Sequence, residues 1–192
     1  MLMKFSILIL NVPSRFEQAA RLYNKLLAQV GTLPVEILML TDNKKRSIGD
    51  KRNDLVVAAR GEYLAFIDDD DDVADDYVAE IMKAIEFSPD VIVFNEQATL
   101  NGENPFIVRP GVEYVNEPSK KIDGKWMDIR RRPWHWCVWK SSIAKTERVP
   151  DMMYGEDSLW VERLFPKVRR QERINKVLRY YRYNKTTSEA GK

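Results

Sequence analysis

Five consecutive aspartates, Asp68 to Asp72, follow directly on the apolar run Tyr63-Leu64-Ala65-Phe66-Ile67. Like charges repel, so the end of a buried strand is a poor place to put five of them for solubility alone. It is a good place for a hard divalent cation, Mn2+ or Mg2+, which takes carboxylate oxygens and keeps positions for water and phosphate. Asp68, Asp69 and Asp70 are the candidates. Asp75 and Asp76 suit the N-terminus of the helix that follows, where acids favour the dipole. An EF-hand is disfavoured, because its ligand spacing and its glycine are absent. None of the eight glycines forms Gly-x-Gly-x-x-Gly or a Walker loop, so the phosphates of any bound nucleotide must be held by metal and by cations. Lys51 and Arg52, at a helix start, could hold them; the alternative is a solvated helix face. Glu156-Asp157 is a second acidic pair, readable as a helix cap or as a general base. Trp134-His135-Trp136 follows Arg130-Arg131-Arg132. Aromatic planes stack on sugar rings or bases, His135 could touch donor or acceptor, and the basic run with Arg131 could meet a polyanion. The alternatives are core packing, favoured for Trp139, and a solvated loop.

Positioning such groups is the task of a regular framework. Ser6 to Leu10 is a continuous apolar strand, as expected when both faces are covered. Ser14, three residues before Glu17, has the spacing of a capping box and opens a helix. Its stripe is Phe16, Ala19, Ala20, Tyr23, Leu26, Leu27 and Val30, and Gly31 ends it. Val35 to Leu40 is a second strand, a helix starts near Ser47, Tyr63 to Ile67 is a third strand, and a helix runs from about Asp75 to Glu86 before the strand Val91 to Phe94. This alternation implies βαβ units, an α/β fold and a mainly parallel sheet. Ligands bind such sheets beyond the carboxyl ends of the strands. The polar clusters Asn11–Arg15, Asp42–Arg46 and Asp68–Asp72 all lie there, so three strands deliver polar groups to one edge. Residues 98–125, rich in Gly and Pro, suit loops or short antiparallel strands. Glu156 to Phe165 reads as a helix stopped by Pro166, Ile174 to Tyr183 as a strand rich in Arg and Tyr, and Thr186 to Lys192 as a frayed end.

The 192 residues, 44% of them hydrophobic, suit one domain, residues 1–192, with a nucleotide-sugar-binding half (1–97) and an acceptor and catalytic-base half (98–192). Residues 1–119 carry 12 Lys/Arg against 20 Asp/Glu, whereas 120–192 carry 19 against 9. An acidic front and a basic back divide the work between them, or reflect uneven surface decoration. No apolar run approaches the roughly 18 residues of a membrane span. The apolar start reads as a strand and not a signal peptide. A single cysteine, Cys137, and a single histidine, His135, exclude an internal disulfide and cysteine- or histidine-rich metal sites. The expectation is a soluble cytoplasmic protein.

The order of motifs resembles the family 2 glycosyltransferases of GT-A fold. It runs from an apolar strand through Pro-x-Arg, a strand ending in Asp and Lys-Arg-Asn on a helix. Gly-Glu-Tyr-Leu-Ala-Phe-Ile-Asp-Asp-Asp-Asp, Gly-Glu-Asp-x-Leu-x-x-x-Arg-Leu and Leu-x-Tyr-Tyr-Arg follow. The resemblance covers nearly the whole chain, weakly over 98–125. It implies an inverting, metal-dependent transfer of a sugar from a nucleotide-diphosphate sugar, uridine-linked by preference, to an acceptor hydroxyl. Asp42 would then hold the base and Arg52 the donor, together with Pro13, Arg15, Lys51 and Asp69. Asp68 and Asp70 match the Asp-x-Asp element, with Asp70 on the metal, although five acids in a row leave that register open by one residue. Asp157 of the Glu156-Asp157 pair matches the general base, and Tyr180 to Arg182 would lie near the donor phosphates. The family's usual Pro-x-Tyr-Asn start is here Asn11-Val12-Pro13-Ser14-Arg15. Trp134, His135, Trp136 and Arg131 remain for the acceptor, a glycan or lipid-linked sugar, or a hydroxymethylated base in DNA. The competing reading is a non-catalytic nucleotide- or metal-binding module on the same fold.

Overall fold

Each apolar run of the first half becomes a buried strand, and each amphipathic stretch the helix that covers it. In the computed structural model, which describes residues 2–185, β1 (Phe5–Asn11) lies between β2 (Val35–Thr41) and β3 (Tyr63–Asp68), parallel to both. The register sets Asn11 opposite Thr41, and Leu10 opposite Asp68, so three strand ends share one edge. The expected mainly parallel α/β sheet is borne out.

The sheet continues past β3 with a reversal. Strand β10 (Val138–Lys140) runs antiparallel between β3 and β5 (Val91–Leu100). The residues leading into it, Trp134 to Cys137, therefore lie at the same edge as the carboxyl ends of the parallel strands. Beyond β5 runs β11 (Gln171–Tyr183), parallel to it, with register shifts between Ile174 and Arg179; β4 (Asp72–Val73) pairs antiparallel with β11. The later part of β5 also pairs with β6 (Phe106–Pro110), which pairs with β9 (Ile129–Arg131). Between them sits the hairpin β7 (Lys121–Ile122) and β8 (Lys125–Trp126). Its two-residue turn, Asp123-Gly124, has both φ angles positive, at 50° and 76°, as a primed turn requires.

The covering helices are α1 (Phe16–Val30), α2 (Ile48–Ala58), α3 (Tyr77–Ile85), a short α4 (Ser141–Ala144) and α5 (Glu156–Leu164). Ser47 caps α2, its hydroxyl accepting from the Asp50 amide. The expected capping box at Ser14 does not form. Pro13 to Arg15 instead makes a 3-10 turn, and α1 begins at Phe16 without a side-chain cap. The inner stripe of α1 is Ala19, Leu22, Leu26 and Val30, whereas Phe16 and Leu27 are exposed. Aromatic rings fill the core between the layers. Phe66 meets Trp160 edge-on at 5.8 Å, Trp139 lies 6.1 Å from Trp160, and Phe94 lies 5.3 Å from Trp136. Trp160 thereby fastens α5 to the sheet. Thr186 to Lys192, expected to be frayed, lie outside the described residues. No described helix is long and apolar enough to cross a membrane.

Candidate active site

A cleft of about 270 Å³ opens at the shared strand edge. Asn11, Val12 and Arg15 line it from the end of β1, and Asp68 to Asp70 from the end of β3. Ile48, Lys51 and Arg52 reach it from α2, Met153 to Asp157 from the loop and first turn of α5, and Tyr181 from β11. The expected donor and metal residues Arg15, Lys51, Arg52, Asp68, Asp69 and Asp70 are thus gathered in one cavity with Glu156 and Asp157.

The aspartate run is not one bare anionic cluster. It turns after β3, the Asp71 amide donating to the Asp68 carbonyl at 3.1 Å, so successive carboxylates face different ways. Each lies beside a cation, some of them shared. Arg15 from the 3-10 turn holds Asp69 at 2.8 Å and Asp70 at 3.0 Å. Arg179, buried in β11, holds Asp71 at 2.5 Å and reaches Asp68 at 3.4 Å. Lys25 of α1 takes Asp72 at 3.0 Å. Burial pushes the Asp69, Asp70 and Asp71 carboxyls up, against the pull of these cations. Burial pushes Asp68 the same way, but His135, Arg52 and Arg179 outweigh it and hold Asp68 well below the usual carboxylate range. Asp68 and Asp70 keep about a third of their side chains exposed, at 31% and 32%, and both face the cleft. Among the described residues no group of three or more His, Cys, Asp or Glu forms a cage for a metal ion. Two cleft-facing carboxylates do fit the mode of Mg2+ or Mn2+, in which one or two protein carboxylates are completed by substrate phosphates and water.

On the opposite wall the two acids of the Glu-Asp pair differ. Glu156 is buried at the start of α5 and accepts from Arg52 Nε at 3.1 Å. Burial pushes its carboxyl up, and it serves to fix Arg52, which also meets Asp68 at 3.3 Å and lies 4.6 Å over the Phe66 ring. Asp157 faces the cleft, and one of its oxygens lies 2.8 Å from Nδ1 of His135, whose Nε2 is 3.6 Å from Asp68. Burial pushes Asp157 up, but the His135 ring and Arg52 override it and set its pKa at about 2. The two carboxylates in turn raise His135 against its burial. The single histidine of the chain therefore joins the two halves of the site.

The other expected site residues fall around this centre. Asp42 adjoins the cleft through Lys51, whose Nζ donates to it at 2.9 Å and holds its carboxyl low. Pro13 is exposed and shapes the turn that carries Arg15. Trp134 is half-buried beside His135, their rings 6.2 Å apart, and Arg131 stacks on Trp134 at 3.5 Å. Trp136, expected to meet an acceptor, is 2% exposed and packs against Phe94 in the core, where no sugar reaches it. Arg182 is exposed on β11 and does not line the cleft; strand alternation puts Arg179 and Tyr181 on the site's side instead. Arg179 was not among the expected residues, nor was Tyr181 singled out within the Tyr180–Arg182 segment.

Gly49 explains how the Asp157 loop is held. Its amide donates to the Met152 carbonyl at 3.1 Å, and a Cβ built there would lie 1.7 Å from the Pro150 carbonyl oxygen. The start of α2 and the loop before α5 touch backbone to backbone, so any side chain must drive them apart. Gly49→Ala is expected to cost about 1–3 kcal/mol by overpacking and about 10²-fold in turnover by displacing Asp157. Denaturant unfolding and steady-state kinetics check this; wild-type values in both would show that the loop yields freely.

The comparisons agree with this geometry. The pattern described as "Glycosyl transferase family 2" matches residues 17–127. Among solved structures, S. aureus TarS 1-349 in complex with UDP-GlcNAc is similar at a TM-score of 0.68 and 15% identity, over 98% of this chain and 62% of that one. S. aureus TarS 1-349 without that ligand is similar at 0.66 and 17% identity, over 94% and 60%. The chain thus spans about three fifths of the length of these solved chains. No curated protein matches. With its mainly parallel sheet and GT-A architecture, and with more than half of its length matched, this chain belongs to glycosyl transferase family 2.

Proposed function

We propose that the cleft binds a nucleotide-diphosphate sugar, a UDP-sugar by preference, and that the protein transfers the sugar with inversion to an acceptor hydroxyl. One observation carries this reading: an ionised, cleft-facing carboxylate, Asp157, stands across a single cavity from three cations, Arg15, Lys51 and Arg52, and from the Asp68–Asp70 turn. The similarity to S. aureus TarS 1-349 in complex with UDP-GlcNAc supports the donor class.

In this reading Asp42 and Lys51 face the nucleoside, and Arg15 and Arg52 face the diphosphate. A divalent ion, Mn2+ or Mg2+, would be held by Asp70 with Asp68 and would neutralise charge on the departing diphosphate. Asp157 accepts the acceptor's proton as its oxygen attacks the anomeric carbon from the face opposite the diphosphate. The new carbon–oxygen bond forms as the bond to phosphate breaks, and the diphosphate leaves with the electron pair. No covalent nucleophile is needed. The anionic donor engages Arg52, weakens that cation's hold on Asp157 and so raises the base's affinity for a proton once the donor is in place. The acceptor is a glycan or lipid-linked sugar, with a hydroxymethylated DNA base as the second candidate.

The test is ligand-induced stabilisation. UDP-sugars with Mn2+ are expected to raise Tm by mass action, about 2.7 kcal/mol of stabilisation at a hundredfold excess over Kd, and Asp70→Asn is expected to lose the Mn2+-dependent part. No shift with any nucleotide-sugar, with or without Mn2+, would end the reading.

A further inference from the structure

We infer that Arg131 is a binding point for an acidic group on the acceptor, a phosphate or a carboxylate carried by a glycan. This rests on the transferase reading of the cleft and adds the chemical class of its second substrate. Arg131, half-buried, differs in one respect from the two buried arginines. Arg52 holds Asp68 and Glu156, and Arg179 holds Asp71, Glu96 and Asp68. Arg131 has no carboxylate partner among the described residues, and its Nε is buried without a hydrogen-bond acceptor. A half-buried guanidinium with its Nε left this way is costly unless something supplies an acceptor. Burial pulls Arg131 down to about 10, against the weaker opposing fields of Cys137 and Asp157.

The position fits an acceptor. The guanidinium carbon lies 3.5 Å from the centre of the Trp134 ring, a contact that holds the group beside that ring, and a guanidinium can donate two parallel hydrogen bonds to one oxyanion. Trp134 adjoins His135, and His135 touches Asp157, so two rings link Arg131 to the base. The field of Asp157 reaches it. Arg131 is absent from the lining of the donor cleft, which has its own cations for the diphosphate. Its neighbours are committed elsewhere: Arg130 stands 4.0 Å from Glu117, and Arg132 lies over Phe165. A duplex backbone needs several free cations along a surface. One half-buried fork beside an aromatic ring suits a single acidic group on a sugar or polyol.

The test needs no turnover. The UDP-saturated protein is titrated with inorganic phosphate and separately with acetate, with chloride at equal ionic strength as control. The Trp134 indole N–H is followed by NMR and assigned through Trp134→Phe. A saturable shift with phosphate, acetate or both is expected, and which anion produces it separates the phosphate from the carboxylate source. Arg131→Gln is expected to abolish the shift, and Arg131→Lys to weaken binding about tenfold or more, since the planar fork is lost. Thermal melts of both variants confirm that they fold. A shift that does not saturate in the wild type, or that persists in a folded Arg131→Gln, overturns the inference. So does a duplex oligonucleotide that binds more tightly than phosphate with a steep loss in salt, which would assign the surface to nucleic acid. Failure of UDP to bind would instead strike the donor reading, and is seen separately in the cleft resonances.

Discussion

Asp157→Asn is expected to lower turnover roughly 10³-fold, the usual worth of a positioned base, while UDP-induced stabilisation and the donor KM stay near wild type. The amide keeps the size of the carboxylate and its place in the first turn of α5, and it cannot take a proton. Asp157 is the acid free to act. It faces the cleft and is ionised, whereas Glu156 is fixed on Arg52. His135 and Arg52 set it low, so it stays ionised across the working pH range. The measurement also separates an enzyme from a binding module on the same fold, which would need the cleft cations and could dispense with Asp157. Unchanged turnover in a folded Asp157→Asn would place the base elsewhere. Lost turnover together with lost UDP binding would make Asp157 a donor ligand.

The first half of this chain could be read because its signals are local. Apolar runs, the cap at Ser47 and the stop at Gly31 fix strands and helices one after another, and parallel pairing then carries Asn11, Thr41 and Asp68 to one edge. The error at Ser14 was also local, since Pro13 favours a tight turn that competes with the helix for the same residues. The second half depends on long-range pairing. Strand β10 is three residues long, and only its place between β3 and β5 shows that His135 must sit at the site edge while Trp136 turns into the core. On β11, the order Arg179-Tyr180-Tyr181-Arg182-Tyr183 is compatible with either face. The register shifts between Ile174 and Arg179 decide that Arg179 and Tyr181 point to the site and Arg182 to solvent. Nothing local in the sequence sets those shifts.

Arg179→Met is expected to be the most destabilising single change in the site, at about 4 kcal/mol, or a fall in Tm of about 8–16 °C for a chain of this size. Arg179 is 4% exposed and is ringed by Asp71, Glu96 and Asp68, with the Trp136 ring 5.5 Å and the Tyr181 ring 5.2 Å from its guanidinium. Removing it leaves at least two buried carboxylates, Asp71 and Glu96, with no cation, and methionine fills the volume without supplying a charge. The pH dependence identifies the cause. Without Arg179 these carboxyls have folded-state pKa values above their unfolded ones. Their protonated forms favour folding below the unfolded pKa, and that support is lost as pH rises through the folded pKa. The deficit should therefore shrink as pH is lowered from about 8 to about 5, and adding Glu96→Gln should restore part of it at about pH 8. Urea unfolding at the two pH values reads this directly. A deficit that is the same at both would mean that lost packing against Trp136 and Tyr181, not stranded charge, accounts for the loss. Because Asp68 and Asp71 belong to the turn that presents Asp70 to the cleft, the same cation that stabilises the core also sets the position of the donor-facing carboxylates.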